Sequence, residues 1–247
     1  MTNKKLPILI TVPHCSTFVP VELRRKMNLS DKEIQRYHDH YTDEIYDVEN
    51  AHVLKAKISR LVADPNRAPD DIEMECRLCH DGVVVSITED GKVIYKEPPK
   101  LKEIFERVEK YHDSFHQEIE SLAPEMLFLI DGHSLWSVGP DTKKDSGKER
   151  ADITLGNRDF TTCSRTMTLK IARFFQERDL SVSINDPYPG KYLIGYHCSR
   201  RGLPGIQIEI NQKLYMNEHN FRRNKKMIKY FNEIMGGLAE MIAEDFE

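Results

Sequence analysis

The apolar positions of this chain recur at two periods, and the period identifies the elements. Residues 7–12 read Pro-Ile-Leu-Ile-Thr-Val. This uncharged, β-branched run predicts a strand buried on both faces. Residues 126–130 form a second such run, Met-Leu-Phe-Leu-Ile, which ends at Asp131-Gly132-His133-Ser134. Residues 180–184 and 206–210 supply two more strands, and 51–57 and 60–63 read as extended. Between the strands the spacing turns helical. Residues 21–50 are polar with helical spacing, and Ser30 followed by Glu33 is a capping box. Thr42 precedes a helical segment carrying Ile45, Tyr46 and Val48. Pro98-Pro99 opens a long helix in which Leu101, Ile104, Phe105, Val108, Phe115, Ile119 and Leu122 fall at three- and four-residue steps. Residues 166–178 predict a helix with Met167, Ile171, Phe174 and Phe175 inward, and 221–246 predict a closing helix. Residues 83–87 and 93–95 flank Glu89-Asp90-Gly91, a hairpin signal expected to add antiparallel strands. Residues 139–150 and 186–192 read as loops, the former exposed. Strands alternating with helices predict an α/β fold, three layers α/β/α around a mostly parallel mixed sheet. No polar linker divides the chain, so one domain over 1–247 is expected.

Charge and composition narrow the classes. Lys and Arg number 36 against 40 Asp and Glu, a net charge of −4, which argues against nucleic acid as the partner. No apolar run approaches the roughly 18 residues of a membrane-spanning helix. The start is polar and basic, and the apolar stretch after it stops at Pro13, too short for a signal-peptide core. The five Cys, at 15, 76, 79, 163 and 198, have no regular spacing. A cytoplasmic location with free thiols is therefore expected. Cys76-x-x-Cys79-His80 matches a haem-attachment pattern and half a zinc knuckle. With no export signal and no second Cys-x-x-Cys, it reads as a loop with free thiols.

In open α/β sheets ligands bind beyond the carboxyl ends of the strands. The polar residues at those ends are therefore the candidates. His14 and His133 follow two strands and can converge on one metal ion, since neutral imidazole is the commonest zinc ligand. Each alone reads better as a loop-capping histidine; the two together make a metal as good a reading. Residues 38–43, His-Asp-His-Tyr-Thr-Asp, are dense in further ligands, and Asp39 is the first choice for the third. Arg67, after Asn66, offers a planar fork for a carboxylate; the plainer reading pairs it with Asp70 or Asp71 at the surface. Glu209 lies in Gln-Ile-Glu-Ile-Asn, with Ile at alternate positions. A carboxylate there faces a cavity or polar seam, and beside a metal it could act as general base and then general acid. Cys15 adjoins His14, but nothing else marks it as a thiolate.

Taken together, these residues resemble the N-formylglutamate amidohydrolase family nearly end to end. The resemblance is carried by Val12-Pro13-His14-Cys15-Ser16 with Val19-Pro20, by Asp39, Asp43 and Tyr46, and by Ser59-Arg60-Leu61-Val62 with Asp64-Pro65-Asn66-Arg67. It continues through Tyr111 and His116, Asp131-Gly132-His133-Ser134, Asp152-Ile153 with Leu155-Gly156, Pro187-Tyr188-Pro189-Gly190, and Gln207-Ile208-Glu209-Ile210-Asn211 with Leu214-Tyr215-Met216. It implies a zinc-dependent amidohydrolase with a zinc carboxypeptidase-like (phosphorylase/hydrolase-like) fold related to aspartoacylases. In those enzymes the order is first metal His, Asn-Arg carboxylate binder, second metal His, late Glu base. Here that order is His14, Asn66-Arg67, His133, Glu209. Ser16 and Lys191 stand where the family usually has Gly, and Thr17 stands where carboxypeptidases have a ligand Glu. Asp39 is thus inferred and not matched to that element.

The expectation is a hydrolase of an N-acyl amino acid, N-formylglutamate or similar. One Zn2+ per chain is held by His14, Asp39 and His133, with Glu209 as base. Arg67 and Asn66 grip the substrate carboxylate, with Arg60 or Arg201 assisting. The alternatives are a carboxypeptidase-like peptidase acting on short or cell-wall peptides, and a metal-free binding protein that keeps the fold. The sequence leaves the oligomeric state open.

Overall fold

The structure, a computed structural model, describes residues 5–72 and 81–246. Cys76, Cys79 and His80 lie outside the described residues. The strands of the main sheet are β1 (Ile8–Val12), β2 (His52–Lys55), β3 (Phe128–Leu135), β4 (Ile153–Gly156), β5 (Val182–Ile184) and β6 (Gly205–Asn211). The helices are α1 (Val21–Arg24), α2 (Asp31–Gln35), α3 (Thr42–Ile45), α4 (Leu101–Arg107), α5 (Ser114–Leu122), α6 (Arg165–Gln176), α7 (Tyr192–Arg201) and α8 (Lys225–Glu244). The sheet order is β2–β1–β3–β6–β4–β5. β2, β1, β3 and β6 run parallel; β4 and β5 run parallel to each other and antiparallel to β6. The expected mostly parallel α/β sheet is what forms. No helix among the described residues is long and apolar enough to cross a membrane.

Each strand feeds two cores by alternation. Ile8, Ile10, Val12, Phe128, Ile130, Ile206, Ile208 and Ile210 pack beneath α3, α6 and α8. Leu9, Leu54 and Leu129 face the other way, against Phe115 and Ile119 of α5 and Leu193 and Ile194 of α7. The α8 stripe Ile228, Phe231, Ile234, Met235, Leu238 and Ile242 is buried at helical steps, after an Asn224 side chain that accepts from Met227 N. The Ser30–Glu33 capping box forms as expected.

Several expectations change. β3 does not stop at Ile130 but runs on through Leu135, so His133 lies inside the strand. Gly132 permits this: a Cβ there would stand 2.7–2.8 Å from three ring atoms of Tyr46, which lies flat against the strand. The Tyr46 hydroxyl shares its proton between the carbonyls of His133 (3.0 Å) and Ile208 (2.8 Å), tying β3 to β6. Gly132→Ala is therefore expected to lower unfolding stability by about 1–3 kcal/mol through overpacking. Denaturant unfolding checks this, and an unchanged midpoint would contradict it.

Residues 60–63 are a turn, closed by Val62 N donating to Ser59 O at 2.9 Å. Leu61 and Val62 sink into a satellite core with Ile94 and Tyr95 instead of pairing at a sheet edge. The 83–95 hairpin turns at Gly91 (φ +81°) and bridges Ile87 to Val93, but it stays apart from the six-stranded sheet. The long helix after Pro98-Pro99 passes from α4 to α5 through a wider π turn at Val108–Asp113. Leu101 and Phe105 face solvent, and Arg107 is buried instead, donating to Glu103 (3.0 Å) and to the Tyr95 hydroxyl (2.8 Å).

Candidate active site

The parallel strands deliver one face of polar residues to one place. Past Leu129, β3 presents Asp131 and His133 on that face, and β6 presents Gln207, Glu209 and Asn211. The register sets Asp131 beside Gln207 and His133 beside Glu209. His14 follows β1 by two residues, and its carbonyl accepts from Asp39 N at 2.9 Å, which draws residue 39 over the strand ends.

Three buried donors converge there. The rings of His14 and His133 meet edge to face, with centroids 4.7 Å apart. Asp39 Oδ2 lies 3.3 Å from His133 Nδ1 and 3.7 Å from His14 Nδ1. The ligand atoms of His14, Asp39 and His133 all fall within 4.8 Å of one another. Ligands roughly 2.0–2.1 Å from a tetrahedral ion stand roughly 3.3–3.4 Å apart, so this spacing accepts a small divalent cation with little movement. Ser134 N donates to Asp39 Oδ2 at 3.1 Å and fixes that oxygen.

The far nitrogen of each ring meets a carboxylate. His14 Nε2 lies 2.8 Å from Asp64 Oδ1, and His133 Nε2 lies 3.0 Å from Asp131 Oδ2. A carboxylate on Nε2–H leaves Nδ1 as the lone pair, the usual arrangement behind metal-ligating histidines. Arg60 Nη1, 3.1 Å from His14 Nδ1, donates to that lone pair. The carboxylates are anchored in turn. Asp131 Oδ1 accepts from Thr11 Oγ1 at 2.8 Å, and Asp64 accepts from Arg60 Nη2 (2.7 Å) and from Asn66 N (2.8 Å).

The electrostatics follow from burial and pairing. Burial would raise the Asp64 carboxyl, but Arg60 and His14 overcome it and hold it well below the usual range. Burial likewise opposes ionisation of Asp39, and the His133 and His14 rings beside it hold it low. Burial would lower His133, but the charge and hydrogen bond of Asp131, with Asp39 and Glu209, together overcome it and hold the imidazolium well above its usual value. Glu209 goes the other way. Burial pushes its carboxyl up to about 8, against the charge of His133, with Asp39 and Asp131 adding to the rise. Its Oε1 accepts from Gln207 Nε2 at 2.8 Å.

A match to the model of the N-formylglutamate amidohydrolase family runs over residues 6–216. The chain belongs to that family. Members of the N-formylglutamate amidohydrolase family hydrolyse amides. A crystal structure of N-formylglutamate amidohydrolase from Ralstonia eutropha JMP134 superposes with a TM-score of 0.85 at 24% identity, over 99% of this chain and 96% of that one. A gene product of Agrobacterium tumefaciens superposes at 0.72 with 19% identity, over 97% of this chain and 92% of that one. At these identities the likeness is one of fold. No curated protein matches the sequence.

The remaining candidates of this family member divide. Asn66 sits between the site and α7: its Nδ2 lies 3.2 Å from His133 Nε2 and its Oδ1 accepts from Leu193 N at 3.0 Å. Arg67 lines the cavity, but its fork is engaged by Asp81, with Nη2 to Oδ1 at 2.6 Å and Nε to Oδ1 at 3.1 Å; Asp70 and Asp71 do not take that place. Arg60 is shared between Asp64 and His14. Arg201 closes α7, and its side chain lies outside the described residues. Cys15 lacks the low-pKa environment of a thiolate nucleophile. Burial, then Asp43 and Asp39, push its thiol up to about 12, and Sγ donates to Val12 O at 3.2 Å.

Sequence reasoning missed the supports. Asp64 and Asp131 were legible as strand-end acids, but their role needs the ring geometry. Two buried histidines clamp the 65–67 backbone from behind: His116 Nε2–H donates to Pro65 O and His112 Nε2–H to Arg67 O, both at 2.9 Å. Burial, with His112 and His197 beside it, pushes His116 down to about 3, so it stays neutral. The 139–150 loop is not simply exposed. Lys143, Lys148 and a buried Arg150 wall a cavity of about 1080 Å³ that opens over His14, Asp39 and His133, with Arg150 paired to Asp145.

Proposed function

We propose that this chain is a zinc-dependent hydrolase of the amide bond of an N-acyl amino acid, with N-formylglutamate as the model substrate. His14, Asp39 and His133 hold one Zn2+, and Glu209 is the general base. The single observation that carries this is the convergence of two carboxylate-backed imidazoles on Asp39, with Glu209 on the neighbouring strand. His14, Asp39 and His133 would hold the ion, which when bound would supply Lewis-acid activation of water and of the scissile carbonyl.

The chain's own groups do the rest. Glu209 Oε2, the oxygen that Gln207 does not occupy, takes a proton from the attacking water and returns it to the departing amine nitrogen. A carboxyl raised toward neutrality suits both transfers. The charge of His133 opposes the rise that burial imposes, and the carboxyl settles at about 8, where it can both take and return a proton. Asp64 and Asp131 hold the rings. Asn66, Arg67 and Arg60 orient the substrate carboxylate at the mouth of the nest. His112 and His116 keep the Asn66–Arg67 backbone in place.

Steady-state hydrolysis of N-formylglutamate, N-acetylglutamate and a short dipeptide, with and without added zinc, tests the reading. Zinc-dependent turnover of the N-acyl substrates supports it; turnover of the dipeptide alone, or turnover indifferent to zinc and chelator, overturns it. Arg67→Ala is expected to raise KM about 10–100-fold with a smaller change in kcat, since a hydrogen bond to a charged group is worth about 1.5–3 kcal/mol. An unchanged KM would remove Arg67 from the substrate site.

A further inference from the structure

The 83–95 hairpin takes no part in the six-stranded sheet, and no step of the proposed chemistry uses it. It is nevertheless fixed at three points. Asp64 N donates to Val83 O at 2.7 Å, Asn28 N donates to Ile94 O at 2.8 Å, and the Tyr37 hydroxyl donates to Asp90 beside the turn. Val85 and Ile87, two positions apart on one face of the hairpin, join Leu61, Leu135, Tyr37 and Trp136 in lining a second cavity of about 120 Å³. That is room for several non-hydrogen atoms.

This small cavity adjoins the large one at Asp39 and Ser134, which line both. Ser134 N donates to Asp39 Oδ2 at 3.1 Å, so the two spaces meet at the edge of the candidate metal site. An amide carbonyl carries two substituents, the amine and the acyl chain, and a carbonyl seated beside Asp39 needs room for both. The large space, lined by Lys143, Lys148, Arg158 and Lys191, suits an anionic amino acid. The small one suits an apolar guest, because the polar side chains that line it alone are engaged elsewhere. Asp64 is held by His14 and Arg60, and Thr88 donates to Asp90. His38 Nδ1–H donates to Gln35 O at 2.7 Å, and Gln212 Nε2 donates to Ser134 Oγ at 3.0 Å. Arg36 is exposed. The wall is braced behind Trp136: Phe221 and His40 link it ring by ring to His38, with centroids 6.2, 4.4 and 3.9 Å apart in turn. A formyl group, with only hydrogen on its carbonyl carbon, leaves this space unfilled.

We propose that the hairpin, with Tyr37 and Trp136, forms an acyl subsite that binds an apolar acyl group of about two to five carbons better than formyl. This rests on the hydrolase reading for its kinetic arm but not for its binding arm, and both use the purified full-length protein supplied with zinc. The kinetic arm compares KM for N-formyl-, N-butanoyl- and N-octanoylglutamate, since the more reactive formyl carbonyl would distort a comparison of kcat. KM for the butanoyl amide is expected to lie about tenfold or more below that for the formyl amide, at about fourfold per buried methylene. Val85→Phe fills the lobe and is expected to cut that ratio about tenfold. Trp136→Ala enlarges it and is expected to lower KM for the octanoyl amide, a gain that a damaged fold would not give. Thermal unfolding confirms that each variant is folded.

The binding arm titrates N-methylglutamate and N-butylglutamate by calorimetry; neither has an amide to cleave. The butyl amine is expected to bind about tenfold or more tightly than the methyl amine in the wild type, and Val85→Phe is expected to remove most of that difference. Equal KM for the formyl and butanoyl amides, a KM ratio that neither variant moves, or equal binding of the two amines overturns the subsite. No turnover of any of the amides, with amine binding still graded by chain length and the grading lost in Val85→Phe, would sink the hydrolase reading and leave the apolar lobe standing.

Discussion

Glu209→Gln is expected to cut kcat by about 10²–10⁴-fold, the usual contribution of a positioned general base, while the affinity for zinc stays within a few-fold of wild type. The substitution keeps the shape of the side chain and an oxygen able to accept from Gln207 Nε2, 2.8 Å away in the native site. It leaves His14, Asp39 and His133 themselves unchanged. It removes only the oxygen pair that can carry a proton between the attacking water and the leaving nitrogen. Stability should hold or rise, because the replaced carboxyl is buried near Asp39 and Asp131 and is pushed up to about 8 by that burial. Single-turnover kinetics and a zinc competition titration on the same preparation separate the effects. Turnover surviving with zinc bound would show that the proton is handled elsewhere.

Asp131→Asn is expected to weaken the metal about 10–100-fold, the usual cost of losing a carboxylate behind a ligating histidine. Asp131 is fully buried, contacts His133 Nε2 at 3.0 Å and is fixed by Thr11 Oγ1 at 2.8 Å. The amide keeps the size but gives up the charge that makes the imidazole a stronger donor to the metal. A pH dependence follows with a definite sign. The imidazolium of His133 is held well above its usual value because Asp131, through its charge and hydrogen bond, joins Asp39 and Glu209 in overcoming burial. A proton on His133 competes with the metal, so affinity rises as pH climbs through the range where that proton leaves. In Asp131→Asn the proton leaves at lower pH, so the rising limb shifts to lower pH even as the plateau affinity falls. Metal titrations between pH 5.5 and 8.5 check both parts. A plateau affinity equal to wild type would remove Asp131 from the metal site's support.

Much of this arrangement was legible in the chain. Uninterrupted apolar runs marked β1 and the first half of β3 because both faces of those strands are buried, and Ile206, Ile208 and Ile210 gave β6 and its core-facing side together. The position of Glu209 between two of those isoleucines is what marked it as facing a polar seam. The second half of β3 was hidden because Asp131-Gly132-His133-Ser134 has the composition of a turn. Its extended form depends on Tyr46, a residue 86 positions upstream, lying where a Cβ at Gly132 would be. α7 was hidden too, since Tyr192–Arg201 mixes polar residues with a central glycine, and the reason for that glycine is the side chain of Arg158. Pairings such as Arg67 with Asp81, or His14 with Asp64, join charges across turns that no local pattern fixes.

Metal stoichiometry tests the central claim most directly. The wild-type protein and a His14→Ala, His133→Ala double variant, each stripped with chelator, reloaded with zinc and passed through a desalting column, are analysed by elemental mass spectrometry. Native circular dichroism confirms that both are folded. The account predicts close to one ion per wild-type chain and almost none in the variant. Equal zinc in the two would mean that the ion, if this chain keeps one, is held somewhere other than between those two rings.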